Sequence, residues 1–166
     1  MHPRSVDVEN ELREIGVGAG HLPARLTRLD MNDSPHDTQK RWEAIAVCAS
    51  AAEKIYTGCE RVMSRPASEH DQLPVIHAEG WHTALLWRMA NPLPDRRGPV
   101  ISHELHGLMN RLRAFRHHER NTYGSGVEHG IVVVRATEAV AGYDRFSDEV
   151  RLFLLHDSTA AFRGVD

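Results

Sequence analysis

The chain has 166 residues, of which 41% are hydrophobic, and a formal net charge of −3, which suits one domain with a buried core. The slight acidity excludes a generally basic nucleic-acid coat, so any contact with phosphate has to be local. No apolar run approaches the roughly 18 residues that cross a bilayer, and the first residues lack an apolar segment of the signal-peptide type, so we predict a cytoplasmic protein with no membrane partner.

Helical periodicity runs through most of the sequence. Glycines at 16, 18 and 20, followed by Pro23, predict a break after the first helical stretch. The strongly β-branched run GIVVVR at 130–135 precedes the last predicted helix. In chain order, the predicted helices cover 5–15, 24–30, about 35–65, about 77–90, a segment that Ser102 caps and that ends near Tyr123, and about 136–156.

Four or five helices joined by short loops predict an all-α, up-and-down bundle. Apolar residues recur at spacings of three and four along these helices, and we expect Trp42 and Trp81 to lie in the core they form. The domain is expected to span residues 1–166, with 1–34 as an N-terminal helical extension. A bundle of this size often associates with a second copy through its remaining apolar face.

The two cysteines are predicted to be buried thiols. Cys48 and Cys59 lie on the same predicted helix, about three turns or roughly 16 Å apart along its axis. One helix therefore cannot bring them within disulfide range.

The histidines do not predict a metal site. His103 and His106 are three residues apart on one helix and are expected at the surface, while His77 and His82 are five apart and do not share a face. The sequence has no H-E-x-x-H motif and no Cys–His framework. We therefore predict neither a metal nor a cofactor.

The acidic residues of the long predicted helix at about 35–65 and of the last predicted helix are interpreted as structural. Tyr56 and Glu60 are neighbours on one helix face. Either they support a functional cleft or, as we expect, they form core packing beside an exposed acid. Asp144, Asp148 and Glu149 on the last helix are expected to form a solvated face.

The stretch RLRAFRHHERNTYG, residues 111–124, concentrates basic and polar side chains on one predicted helix. An arginine at a half-buried rim can anchor phosphate through two parallel hydrogen bonds, and an adjacent histidine can move protons near neutral pH. These groups are sufficient for RNA cleavage without a metal. The alternative is a solvated or structural face, because cations favour the C-terminal end of a helix.

A helical wheel separates the polar residues of this stretch. With 100° per residue, Arg120 and Tyr123 lie about 40° and about −20° from Arg116, so the three border the apolar stripe. His117 and Asn121 lie further round, at about 100° and about 140°, and can touch as an i, i+4 pair.

The register of Arg116, four residues, Asn121, Thr122 and Tyr123 resembles the arginine, histidine and tyrosine motif of the HEPN superfamily, in its HepT-like toxin branch. His117 matches the polar residue that typically follows the arginine. YTGCERV at 56–62, WHTALLWRM at 81–89 and PVISHELHGLMNRLRAFRH at 99–117 resemble further segments of that branch, so the resemblance covers about residues 36–156.

The resemblance implies a HEPN helical bundle that forms a homodimer, with the two motif helices facing one another across a cleft. It implies a metal-independent endoribonuclease that acts as the toxin of a toxin–antitoxin pair. It also implies a partner antitoxin, a minimal nucleotidyltransferase, that adds AMP to the motif tyrosine, here Tyr123, and silences the toxin.

One residue departs from the family motif, because Asn121 stands where the motif has histidine. Asparagine cannot exchange a proton near neutral pH, although it can bond a ribose or a phosphate. Either His117 or His118 carries the proton, with His117 better placed on the wheel, or cleavage is lost. The competing hypothesis is therefore a catalytically inactive HEPN subunit that binds a nucleotidyltransferase or RNA without cutting it.

Overall fold

The computed structural model describes residues 3–31, 38–69, 71, 76, 78–121 and 128–163. Within these ranges five α-helices form a bundle without a strand, which confirms the predicted all-α helical bundle. None of the helices in these ranges is both long and apolar enough to cross a bilayer. The helices are α1 (Pro3–Met31), α2 (Thr38–Glu69), α3 (Trp81–Ala90), α4 (His103–Asn121) and α5 (His129–Arg163).

Helix α2 is the central element of the bundle, and it packs against all four of the other helices. It runs antiparallel to α1, since Glu11 pairs with Arg65 whereas Ile15 lies against Gly58. Its buried face includes Ile55, Tyr56, Cys59, Val62 and Met63, each at most 3% exposed. Cys48 and Cys59 are buried free thiols, as predicted, and burial raises the pKa of both.

Helix α1 continues through its glycines and through Pro23, so the predicted break is wrong. The apolar stripe stays in register across the glycines and is buried: Val8, Leu12, Ile15, Ala19, Leu22 and Leu29. Burial of this stripe outweighs a helix penalty of about 1 kcal/mol per glycine and about 3 kcal/mol for proline. Gly16 also gives α5 room, because a Cβ there would lie 2.6 Å from the Tyr143 hydroxyl, which donates a hydrogen bond to the Leu12 carbonyl at 2.6 Å.

Helix α5 begins at His129, earlier than predicted, and includes the whole of GIVVVR. Val132, Ala136 and Ala139 are fully buried at helical spacing, and their burial outweighs the modest helix penalty of β-branched residues. Glu149 is not simply part of a solvated face, since it accepts hydrogen bonds from the backbone N–H and the hydroxyl of Ser102. Asp144 and Asp148 are exposed, as expected.

Ser102 caps α4 as predicted, because its hydroxyl accepts a hydrogen bond from the Leu105 N–H at 3.2 Å.

Trp42 is 62% exposed, so its predicted place in the core is wrong. The stripe of α2 becomes buried only from Cys48 onward. Trp81 is half-buried against the core. His103 is exposed and His106 half-buried.

A buried ion cluster holds the α3–α4 connection against the end of α2. Asp71 accepts hydrogen bonds from Arg97 at 2.6 Å and 3.0 Å and from Arg88 at 2.9 Å. Arg97 also donates to the backbone carbonyls of Arg88 and Asn91. The cluster thus ties the connection between α3 and α4 to Asp71, two residues beyond the end of α2.

Replacing Gly58 by alanine is expected to destabilise the protein by about 1–3 kcal/mol through overpacking. A Cβ at this position would lie 2.6 Å from Cγ1 and 2.9 Å from Cδ1 of Ile15, and the β-branched side chain has little freedom to move. The matched control is Gly18→Ala, because a Cβ at Gly18 meets nothing within 4 Å and should stabilise the helix slightly. Urea denaturation compares the two variants, and an equal response would contradict the close α1–α2 contact.

Candidate functional site

Arg116 lies near the C-terminal end of α4, where that helix packs against α2 and α3. Its neighbours Leu112 and Phe115 are buried, so the arginine sits on the edge of the packed face with its side chain 12% exposed. Nη1 donates to Glu60 Oε2 at 3.2 Å. The guanidinium carbon lies 5.9 Å from the centre of the Tyr56 ring, within the range of a cation–π contact.

Glu60 is a buried carboxylate, so the expectation of an exposed acid at this position is wrong. Its side chain is 5% exposed and bonds Arg116, the Tyr56 hydroxyl at 3.0 Å and His82 Nδ1. A buried carboxylate is tolerated only when charges and donors surround it in this way. Burial, and to a smaller extent the negative charge of Glu60, raises the pKa of Tyr56. The hydroxyl therefore keeps its proton and donates it in a hydrogen bond to Glu60.

His82 is the second residue of α3 and contacts the other oxygen of the same carboxylate, Oε1. Its ring lies against the ring of Trp81, with centroids 3.8 Å apart. Nδ1 contacts Glu60 Oε1 and lies 3.5 Å from Arg116 Nη1. A bond from Arg116 would need a lone pair on Nδ1, whereas a bond to Glu60 needs a proton there, because a guanidinium only donates and a carboxylate only accepts. We assign the proton to Nδ1 because the contact with Glu60 is the shorter of the two.

A small cavity of about 100 Å³ opens beside this cluster and is lined by His82, Arg113, Arg116 and His117. Arg113 donates to Asn110 Oδ1 at 2.8 Å, which orients its side chain. His117 is exposed, so its imidazole is accessible to solvent. Two guanidiniums and two imidazoles therefore meet at one concave site, an arrangement that suits an anion whose reaction moves protons.

The structure brings two of the residues singled out from the sequence, Arg116 and His117, to this cavity. The side chains of His118 and Asn121, and the whole of Tyr123, lie outside the described residues. In the part of the chain that is described, no group of three or more His, Cys, Asp or Glu residues could hold a metal ion.

Sequence reasoning missed two members of the site, His82 and Arg113, and preferred an exposed acid to a cleft-supporting role for Glu60, which is buried. Glu60 and His82 both lie in segments that resemble the HepT-like branch, YTGCERV and WHTALLWRM. The useful signal was a charged residue beside the apolar stripe of α2, four residues after a tyrosine. Arg113 precedes Arg116 by three residues and so shares its helix face.

Comparison with protein-family models identifies a match to a family described as HepT-like protein, over residues 47–156. Those residues run from α2 to α5 and contain every residue that lines the cavity. Comparisons with curated proteins and with solved structures gave no significant match. The family match covers more than half of the sequence, and the chain therefore belongs to the HepT-like family.

Proposed function

We propose that this protein is a metal-independent endoribonuclease that acts as the toxin of a toxin–antitoxin pair. The observation that supports it most directly is the convergence of Arg113, Arg116, His82 and His117 on one cavity near the end of α4. Membership of the HepT-like family is consistent with such a toxin. The active unit in this proposal is a homodimer, in which two copies of the motif helix enclose a cleft for RNA.

In the proposed reaction Arg116 holds the scissile phosphate. Glu60 accepts a hydrogen bond from Nη1 of its guanidinium at 3.2 Å, and Glu53 lies 3.8 Å from Nε, whereas an arginine carries five N–H donors. A pre-positioned cation stabilises the charge that grows on the phosphorane without reorganising first. Arg113 adds a second positive charge on the same wall of the cavity.

His117 carries a proton in this scheme, with His118 as the alternative carrier. Asn121 positions the ribose or the phosphate through its amide. Tyr123 lines the cleft and accepts AMP from a minimal nucleotidyltransferase, the proposed antitoxin. These roles follow the family motif onto the matching positions of this chain.

The proposal is tested by incubating the purified protein with total RNA in the presence of EDTA. We expect cleavage by the natural sequence, and a fall of about 10²–10³ in rate for Arg116→Ala, the scale of losing one preorganised cationic contact. Arg111→Ala is the matched control, because Arg111 lies on the same helix but pairs with Glu138 of α5. Absence of cleavage, or equal rates for Arg116→Ala and the natural protein, would contradict the proposed ribonuclease activity.

Sedimentation of the same samples tests the dimer. A mass of twice 18.7 kDa is expected, and a monomer at working concentration would contradict the shared cleft.

The second candidate function is a HEPN subunit that binds a nucleotidyltransferase or RNA without cleaving it. Asn121 at the motif histidine position favours this alternative. Asn121→His discriminates between the two: RNase activity that appears only in this variant shows that the natural protein lacks a proton carrier. Cleavage by the natural protein at a comparable rate excludes the inactive subunit.

A further inference from the structure

Cleavage of RNA by its own 2′-hydroxyl needs two proton transfers, and the roles proposed above, with His117 or His118 as the carrier, account for only one of them. A base takes the proton of the 2′-hydroxyl, and an acid returns a proton to the departing 5′-oxygen. Asn121 can do neither, because an amide does not titrate near neutral pH. His117 performs one of the two steps in this scheme.

We propose that His82, oriented by Glu60, is the general base of this reaction. The inference rests on the proposed ribonuclease function and extends it to a residue outside the motif. His82 shares the cavity with Arg116 and His117, and its side chain is 30% exposed. It therefore lies between the buried carboxylate and the space in which a substrate phosphate would bind.

The Glu60–His82 contact determines which ring nitrogen reacts. With the proton assigned to Nδ1 from its contact with Glu60, Nε2 is the nitrogen with a lone pair that accepts a proton from substrate. A carboxylate in this position holds the imidazole in one tautomer and stabilises the imidazolium that forms. Tyr56 and Arg116 bond the same carboxylate and keep it in place, which makes Glu60 a positioning residue.

The proposed step balances in atoms and charge. Nε2 of His82 removes the proton of the 2′-hydroxyl as the 2′-oxygen forms a bond to phosphorus. The bond between phosphorus and the 5′-oxygen breaks, and protonated His117 gives its proton to that oxygen. The products are a 2′,3′-cyclic phosphate and a 5′-hydroxyl, after which water exchanges protons with both imidazoles.

The first test is the rate of His82→Asn on an oligoribonucleotide in EDTA. The asparagine amide can still donate to Glu60 but has no titrating nitrogen, so the rate should fall by about 10²–10⁴, the usual contribution of general acid–base catalysis. His103→Asn is the matched control, since His103 is the first residue of α4 and its side chain is exposed. Equal thermal midpoints and elution volumes verify that the variants are folded alike.

A substrate with sulfur in place of the bridging 5′-oxygen separates base from acid. Thiolate leaves without protonation, so this substrate should restore the rate of His117→Asn but leave His82→Asn impaired. Restoration of His82→Asn would instead assign the acid role to His82 and overturn the proposal. Failure of the natural protein to cut RNA, or indifference to Arg116→Ala, would overturn the ribonuclease itself. Cleavage that depends on Arg116 but not on His82 would overturn only this inference.

The dependence of kcat/KM on pH provides a readout that a structural role would not change. The groups facing His82 and its partners are Tyr56, Glu53 and Glu60 from α2 and Arg113, Arg116 and His117 from α4. A general base acts only in its deprotonated form, so kcat/KM of the natural protein should have an ascending limb as the pH rises. His82→Asn should lose this ascending limb, and a retained limb would contradict the assignment.

Discussion

Replacing Asp71 by alanine is expected to lower the free energy of unfolding by about 3–5 kcal/mol, because it leaves a buried charge without its partner. The Arg97 side chain is 2% exposed and that of Asp71 1% exposed, so water cannot take over the lost hydrogen bonds. Urea denaturation measures the change. The control is Glu104→Ala, which removes a two-bond pair with Arg145 in solvent and should leave the denaturation midpoint almost unchanged. Similar midpoint shifts in the two variants would show that burial of the cluster is not what makes it strong.

The pairing of Asp71 with Arg97 also predicts that the stability of the protein depends on pH. Burial by itself would raise the pKa of Asp71, but the hydrogen bonds and charges of Arg97 and Arg88 outweigh it, and the pKa is lowered. A lowered carboxyl pKa adds stability that is complete above about pH 4, the ordinary value for aspartate. That stability is lost as the pH falls through the lowered pKa. The difference between the natural protein and Asp71→Ala should therefore be constant from pH 7 to about pH 5 and shrink below about pH 4.

Replacing Glu60 by alanine is expected to lower the free energy of unfolding by about 3 kcal/mol or more, because it leaves a buried charge at the candidate site without its partner. It would leave Arg116, 12% exposed, and the buried Tyr56 hydroxyl without the carboxylate they share. Glu138→Ala is the matched control on α5. Glu138 also bonds two arginines, Arg111 and Arg135, but is 22% exposed and should contribute about 1 kcal/mol or less.

Glu60→Gln separates charge from shape at this position. The glutamine keeps a side chain that can hydrogen-bond but removes the negative charge. We therefore expect the free energy of unfolding of Glu60→Gln to lie between that of the natural protein and that of Glu60→Ala. An alanine variant as stable as the Glu138 control would contradict a tightly paired, buried carboxylate. Differential scanning calorimetry measures all three variants under one condition.

Local patterns in the sequence were sufficient for much of the fold. The stripe of α2 predicted a long buried face, and Ile55, Cys59 and Met63 lie on it. Ser102 was identified as a cap from its position before a helical pattern, and its hydroxyl makes that bond. The HepT-like resemblance was found from short ordered segments and agrees with the family match over 47–156. Such signals depend on residues within a few turns of one another, which a sequence displays directly.

The failed predictions concern residues whose environment is supplied by distant parts of the chain. The glycines of α1 and the valines of α5 have weak helix propensity, and the packing of α1, α2 and α5 against one another overrides it. Trp42 follows the correct spacing for burial, yet it is 62% exposed. Periodicity identifies a face of a helix but does not say where along the helix a neighbour covers it.

The sequence by itself determined that this chain is helical, that it belongs with HepT-like proteins, and that Arg116 and His117 are neighbours on one helix. Only the tertiary structure decided what faces them. Glu60 and His82 are 22 residues apart in sequence, and Arg116 is 34 residues beyond His82, so no local pattern relates the three. They meet because packing of apolar faces fixes α2, α3 and α4 side by side, and a carboxylate buried by that packing is stable only beside the cation and the imidazole it brings into contact.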